Sequence, residues 1–129
     1  MLDGYEKGWS GQHCEIWLSE KAVSQLKDLK FSAKDLARAK FIAEELAENG
    51  GENLNDLKFK SEGKFPTGRP NGAKTTIWVI KAHQLRMYGG FVNLNGKKFL
   101  CVEVAKKQQN KADQKQLKRI GKKLGDLNG

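Results

Sequence analysis

Between two runs rich in β-branched and aromatic residues sits Asn95-Gly96, the feature that most constrains how this chain can fold. A two-residue hairpin turn of type I′ needs positive φ at both central positions, and Asn and Gly supply it at little cost. Residues 85–94 precede this turn and residues 99–104 follow it. One step upstream, Thr76-Ile77-Trp78-Val79-Ile80 is as strongly β-prone. Three strands in a row therefore predict an antiparallel meander. Gly89-Gly90 inside the second strand predicts a bulge or a close backbone approach.

The chain before the meander changes period. Residues 13–18 form a short apolar-rich run that predicts a strand. Ser19 then caps a helix, with Glu20 in its first turn, and Ala22, Val23, Leu26 and Leu29 follow at helical spacing. Ser32, with Asp35 three residues on, opens a second helix. Its apolar stripe is Leu36, Ala39, Ile42, Ala43, Leu46 and Ala47, and Gly50-Gly51 ends it. Residues 53–75 are polar, with two prolines and three glycines, and read as a long loop carrying Lys58, Lys60, Lys64, Arg69 and Lys74. After the meander, Asn110 caps a last helix, with Leu117, Ile120 and Leu124 as its buried stripe and Gly125 at its end. The expected fold is α+β in the order β-α-α-β-β-β-α: an antiparallel sheet with an N-terminal helical hairpin and a basic C-terminal helix. One domain spans 13–129 behind a flexible lead, 1–12. Trp78, Ile80, Leu100, Val102, Leu117 and Ile120 are expected to share one core.

Charge narrows the function. The chain of 129 residues has a net charge of +9, but unevenly. Residues 1–57 hold 7 Lys/Arg against 11 Asp/Glu, a net −4, and residues 58–129 hold 17 against 4, a net +13. Such asymmetry points to a polyanionic partner. No apolar run approaches the roughly 20 residues of a membrane helix, and the first residues lack the apolar segment of a secretory signal. A cytoplasmic protein with no membrane partner is expected. Cys14 and Cys101 fit no metal spacing and read as two buried thiols.

Chemistry-bearing residues gather late in the chain. Lys106-Lys107 leave the third meander strand for a helix whose outer faces carry Lys111, Lys115, Lys118, Arg119, Lys122 and Lys123, cations suited to successive phosphates. Arg86 and Tyr88 share a strand face by the period of two, and Lys81 and His83 lie close by. Arginine holds phosphate bidentately, and histidine moves protons near neutral pH. No HExxH, CxxC, P-loop or GxGxxG occurs. The basic half has only Glu62, Glu103, Asp113 and Asp126, poor material for a two-metal nuclease. No cofactor or metal is expected. Any phosphodiester cleavage here would use the 2′-OH of RNA as internal nucleophile.

The motifs Trp78-Val79-Ile80-Lys81, Leu85-Arg86-Met87-Tyr88, residues 99–104 and Ala105-Lys106-Lys107-Gln108-Gln109-Asn110-Lys111 together resemble the RelE superfamily of toxins, and within it the HigB-like, phage-derived branch. The helical hairpin of residues 20–49 fits that family's order of elements. The resemblance implies the toxin of a type II toxin–antitoxin system. Such a toxin is a ribosome-dependent endoribonuclease that cuts mRNA in the decoding site, covered by a cognate antitoxin. It implies that Arg86 and Lys107 hold the scissile phosphate, that Lys81 and Lys106 add charge, and that His83 serves as general acid or base. Lys111, Lys115, Lys118, Arg119 and Lys122 would contact RNA. The chain departs from the family at Ile77 and Val79, where lysines are usual, and at Asp113, where a tyrosine is usual. Each missing proton-transfer group costs on the order of 10²–10⁴ in rate.

Two alternatives compete. A non-catalytic RNA- or ribosome-binding module is similar to double-stranded-RNA-binding domains, which read shape and phosphates, although those place one helix before their meander. The other is a phage-encoded protein that binds a host protein through its acidic N-terminal half.

Overall fold

The structure, a computed structural model, describes residues 2–107 and 113–127. A six-stranded sheet lies between two helical layers. β1 (Tyr5–Ser10) and β2 (Glu15–Ser19) lead into α1 (Glu20–Asp28) and α2 (Ala33–Asn49). Then come β3 (Phe59–Pro66), β4 (Lys74–Ala82), β5 (Leu85–Asn93), β6 (Lys97–Lys106) and α3 (Gln114–Leu127). The strand order is β1-β2-β6-β5-β4-β3. β2 pairs with β6 in parallel, and every other pairing is antiparallel.

The predicted caps of the helical hairpin, Ser19 and Ser32, both form. Ser19 Oγ accepts from Ala22 N at 3.0 Å and donates to Val102 O at 2.6 Å, so one hydroxyl starts α1 and ties it to β6. Ser32 Oγ accepts from Asp35 N at 3.0 Å, and Gly50, at φ 80°, ends α2. α1 and α2 cover one face of the sheet and α3 covers the other. Period-two alternation in β4 sends Ile80 to the hairpin side and Ile77 and Val79 to the α3 side. A strand covered on both faces reads as continuously apolar, which explains the run at 77–80.

The expected fold needs four corrections. First, residues 5–10, within the expected flexible lead, form edge strand β1. Its charged, Gly-containing sequence hides a pairing with β2 that half-buries Tyr5 and Trp9. Second, the expected loop 53–75 contains β3. Phe59 anchors it by stacking on Trp78 with centroids 4.9 Å apart. Gly63 (φ 102°) and Pro66 are tolerated because the strand lies at an edge. Third, the sheet is mixed, and the expected single core is two. Ile80 and the half-buried Trp78 belong to the hairpin side, whereas Leu100, Val102, Leu117 and Ile120 belong to the α3 side. Fourth, Gly125 does not end α3. A Cβ there would lie 2.5 Å from Thr67 Cβ, and one at Gly121 would lie 2.8 Å from Pro66 O. These glycines let the helix settle onto the end of β3 and the loop after it.

The bulge at Gly89 is present. Register shifts between Tyr88 and Gly89, and a Cβ at Gly89 would fall 1.8 Å from Leu100 O. Asn95 and Gly96 do take positive φ (54° and 109°), but within a three-residue loop closed by the Asn93–Lys97 pair. Both cysteines are buried and free. Asn110, the expected cap of α3, lies outside the described residues. Asp113 Oδ1 accepts from Lys115 N at 2.9 Å at the start of that helix.

Candidate nucleic-acid interface

The β4–β5 hairpin turns through two residues, His83 and Gln84, between the paired Ala82 and Leu85. On the α3 side of the sheet, close to this turn, cations collect. Lys81 is directly opposite Arg86, and Arg86 is opposite Ala105. One step further in, Lys60 is opposite Val79, which is opposite Tyr88. Like charges placed across a strand pair destabilise it, so this arrangement is not explained by stability. Burial lowers the Lys81 pKa, and the charges of Arg86 and Lys60 lower it further, against the pull of Glu62 and Asp56. Burial likewise lowers Arg86, opposed by Tyr88 and Glu62. Tyr88 is buried, and its pKa is raised by that burial and by Glu62. An anion arriving beside Lys81 and Arg86 would relieve their mutual repulsion, which makes the sheet end a favourable seat for phosphate.

The turn supplies the fixings. Arg86 Nη1 donates to His83 O at 2.6 Å and to Leu85 O at 3.1 Å. Lys81 Nζ donates to Asp56 O at 3.0 Å. The backbone N–H of Lys107 donates to Gln84 O at 2.7 Å, pinning the exit of β6 to the same turn. Three of the residues expected to serve phosphate, Arg86, Lys81 and Lys107, are thus brought to one end of the sheet, while exposed Lys106, paired with Leu85, leaves from the helical-hairpin face. His83 is placed otherwise. It occupies the turn itself at φ 60°, its side chain is 73% exposed, and its Nδ1 lies 3.5 Å from Asp35 Oδ1 on α2. Its ring is engaged with the opposite helical layer rather than with Tyr88 and Glu62.

Along α3, Lys115, Lys118 and Lys122 are exposed, as expected. Arg119 is committed elsewhere. Its Nε and Nη2 each lie 3.2 Å from a carboxylate oxygen of Glu103, which is 3% exposed. Gln116 Nε2 (2.9 Å) and Lys21 Nζ (3.3 Å) complete that carboxylate's partners. Arg119 and Lys122 also line a cleft of about 550 Å³ between α3 and the start of α1. Lys111 lies outside the described residues.

The sequence does not mark Glu62, Lys60 or Asp35 as site residues, and it places Tyr88 only as the strand-face neighbour of Arg86. The first two arrive because β3 pairs with β4. The available signal was the alternation Phe59-Lys60-Ser61 beside an edge-type glycine and proline. Among the described residues, no group of three His, Cys, Asp or Glu converges as a metal site, and no helix is long and apolar enough to cross a membrane.

No family model, curated protein or solved structure matches the chain. The fold and the site define a class: an α+β domain with a mixed six-stranded sheet, helices on both faces, and a cationic sheet end flanked by a lysine-rich helix.

Proposed function

We propose that this protein is an RNA-cleaving toxin of the RelE/HigB type. It would cut mRNA on the ribosome, be held in check by a cognate antitoxin, and work without a metal through the 2′-OH of its substrate. The observation that carries this is the opposed pair Lys81–Arg86 beside Lys107, on the same side of the sheet as α3. Arg86 would take the scissile phosphate bidentately, with Lys81, Lys106 and Lys107 adding charge and Lys115, Lys118 and Lys122 following the backbone.

Proton transfer falls to the groups whose charges act on Arg86. Glu62 is the carboxylate whose charge acts on Arg86, Lys81 and Tyr88. It is suited to accept the 2′-OH proton, with Tyr88 as a neutral donor. His83, carried by the turn and engaged with Asp35, is the less suitable acid or base.

The test uses purified protein, programmed ribosomes and end-labelled mRNA, with free mRNA as control. Wild type should cut and leave a 2′,3′-cyclic phosphate. A 2′-deoxy nucleotide at the cut should block the reaction, and EDTA that leaves ribosomes intact should not. Arg86→Ala should abolish cleavage with the fold retained, and Arg86→Lys should rescue poorly, because a lysine lacks the bidentate fork. If wild type binds RNA in an Arg86-dependent way but cuts nothing, the non-catalytic RNA-binding module is the correct description. If it binds no RNA, both assignments fail.

A further inference from the structure

The geometry points to Asp35 as a positioning residue for this phosphate site, acting through the β4–β5 turn; the inference rests on the proposed RNA-binding role of Arg86 and Lys107. Asp35 lies in the first turn of α2, on the opposite side of the sheet from Arg86, and is buried at 5% exposure. A carboxylate is buried at a cost unless it is hydrogen-bonded or paired. The partners of its carboxylate both belong to one feature, the turn. Its backbone N–H is taken by Ser32, Oδ2 accepts from Gln84 N at 3.3 Å, and Oδ1 lies 3.5 Å from His83 Nδ1.

That feature is strained. Positive φ at the first central position of a two-residue hairpin loop, without it at the second, matches a type II′ turn, which normally has glycine there. Here it is His83, at φ 60°. A non-glycine residue in this region costs about 1–3 kcal/mol and persists only where its surroundings over-determine it. Asp35 supplies part of that determination by gripping both turn residues from below.

The two carbonyls of the same turn face the site. His83 O accepts from Arg86 and Gln84 O accepts from the Lys107 N–H. A chain of contacts therefore runs from α2 through the turn to both phosphate-holding residues, looser on the Asp35 side (3.3 and 3.5 Å) than on the site side (2.6 and 2.7 Å). Asp35 touches no substrate. It fixes the peptide planes on which Arg86 and the β6 exit depend, and a loss of tight geometry at such a site lowers affinity and rate together.

The experiment compares wild type, Arg86→Ala, Asp35→Ala and Asp35→Asn. It measures affinity for a fully 2′-O-methyl RNA 12-mer, which cannot be cleaved, and hydrogen exchange at the Gln84 and Lys107 amides. Asp35→Ala should weaken RNA binding about tenfold and speed exchange at Lys107, a residue Asp35 does not contact. Asp35→Asn, which keeps an oxygen acceptor for Gln84 N, should recover most of both. A residue that only supports the start of α2 would speed exchange at that helix's first amides and leave Lys107 unchanged. If wild type binds the 12-mer in an Arg86-dependent way while Asp35→Ala changes neither affinity nor Lys107 exchange, the positioning role is wrong and the RNA-binding assignment stands. If wild type shows no Arg86-dependent binding, the assignment itself fails; exchange at Lys107 then still reports whether Asp35 holds the turn.

Discussion

Replacing Arg119 by alanine decides whether that residue serves RNA or holds the fold. The substitution removes two hydrogen bonds to Glu103, both 3.2 Å, and leaves the buried carboxylate with Gln116 and Lys21. Hydrogen bonds to a charged group contribute about 1.5–3 kcal/mol. The Arg119 side chain is 53% exposed, so water recovers part of the loss, and exposed ion pairs are worth at most about 1 kcal/mol. With one partner buried and the other half exposed, a net cost of about 1–2 kcal/mol follows, which in a domain of this size lowers Tm by roughly 4–8 °C. Urea unfolding followed by tryptophan fluorescence measures it. Burial alone would raise the Glu103 pKa, but bonds from Arg119 and Gln116, with the charge of Lys21, outweigh burial and hold it below the usual range. The folded value is the depressed one, so this contribution is complete above the unfolded pKa of about 4.3. It fades as pH falls through the folded value. Wild type and Arg119→Ala should therefore converge in stability in acid. If Arg119→Ala loses no stability at pH 7 but weakens RNA binding as much as Lys118→Ala, the guanidinium faces RNA and the clamp is refuted.

Other substitutions test the remaining structure. Gly125→Ala should lose about 1–2 kcal/mol by urea unfolding, because overpacking against Thr67 (about 1–3 kcal/mol) exceeds the roughly 1 kcal/mol that alanine gains in a helix; a more stable variant would show that α3 does not approach this closely. With about six cations on phosphates, affinity for single-stranded RNA should fall with a log–log salt slope of roughly −4, and a slope near zero would leave the lysines as solubilising groups. Lys60→Ala should reduce that slope by about 0.7 without lowering Tm, since the side chain is exposed; an unchanged slope would remove β3 from the interface.

The helices were legible because their signals are local. Ser19, Ser32 and Gly50 act within one turn of where they stand, and the stripe of α2 needs no knowledge of its partner. The meander was legible for the same reason, through Asn95-Gly96 and the runs beside it. The edge strands were not. β1 and β3 owe their conformation to β2 and β4, and their charged, glycine-containing sequences are what an edge strand needs to resist further pairing. The parallel pairing of β2 with β6 spans some eighty residues and leaves no local mark.

The site followed the same division. Arg86, Lys81 and Lys107 were legible because they sit on or next to the meander. Lys60 and Glu62 were not, since they depend on the placement of β3. The Arg119 clamp was not legible because its partner, Glu103, is buried on another element. On the proposed RelE-type reading, Ile77 and Val79 stand where lysines are expected, and they are buried under α3 at 0% and 1% exposure. A lysine at either position would bring an unpaired charge into that core. β3 provides another route. Lys60 is directly opposite Val79, so a cation reaches the same stretch of sheet from one strand over. Asp113, in place of a tyrosine, accepts from an N–H at the start of α3 instead, and the phenol beside Arg86 is Tyr88 on β5. On that proposed reading, the departures still leave the sheet end with cations, a carboxylate and a phenol, delivered by different strands.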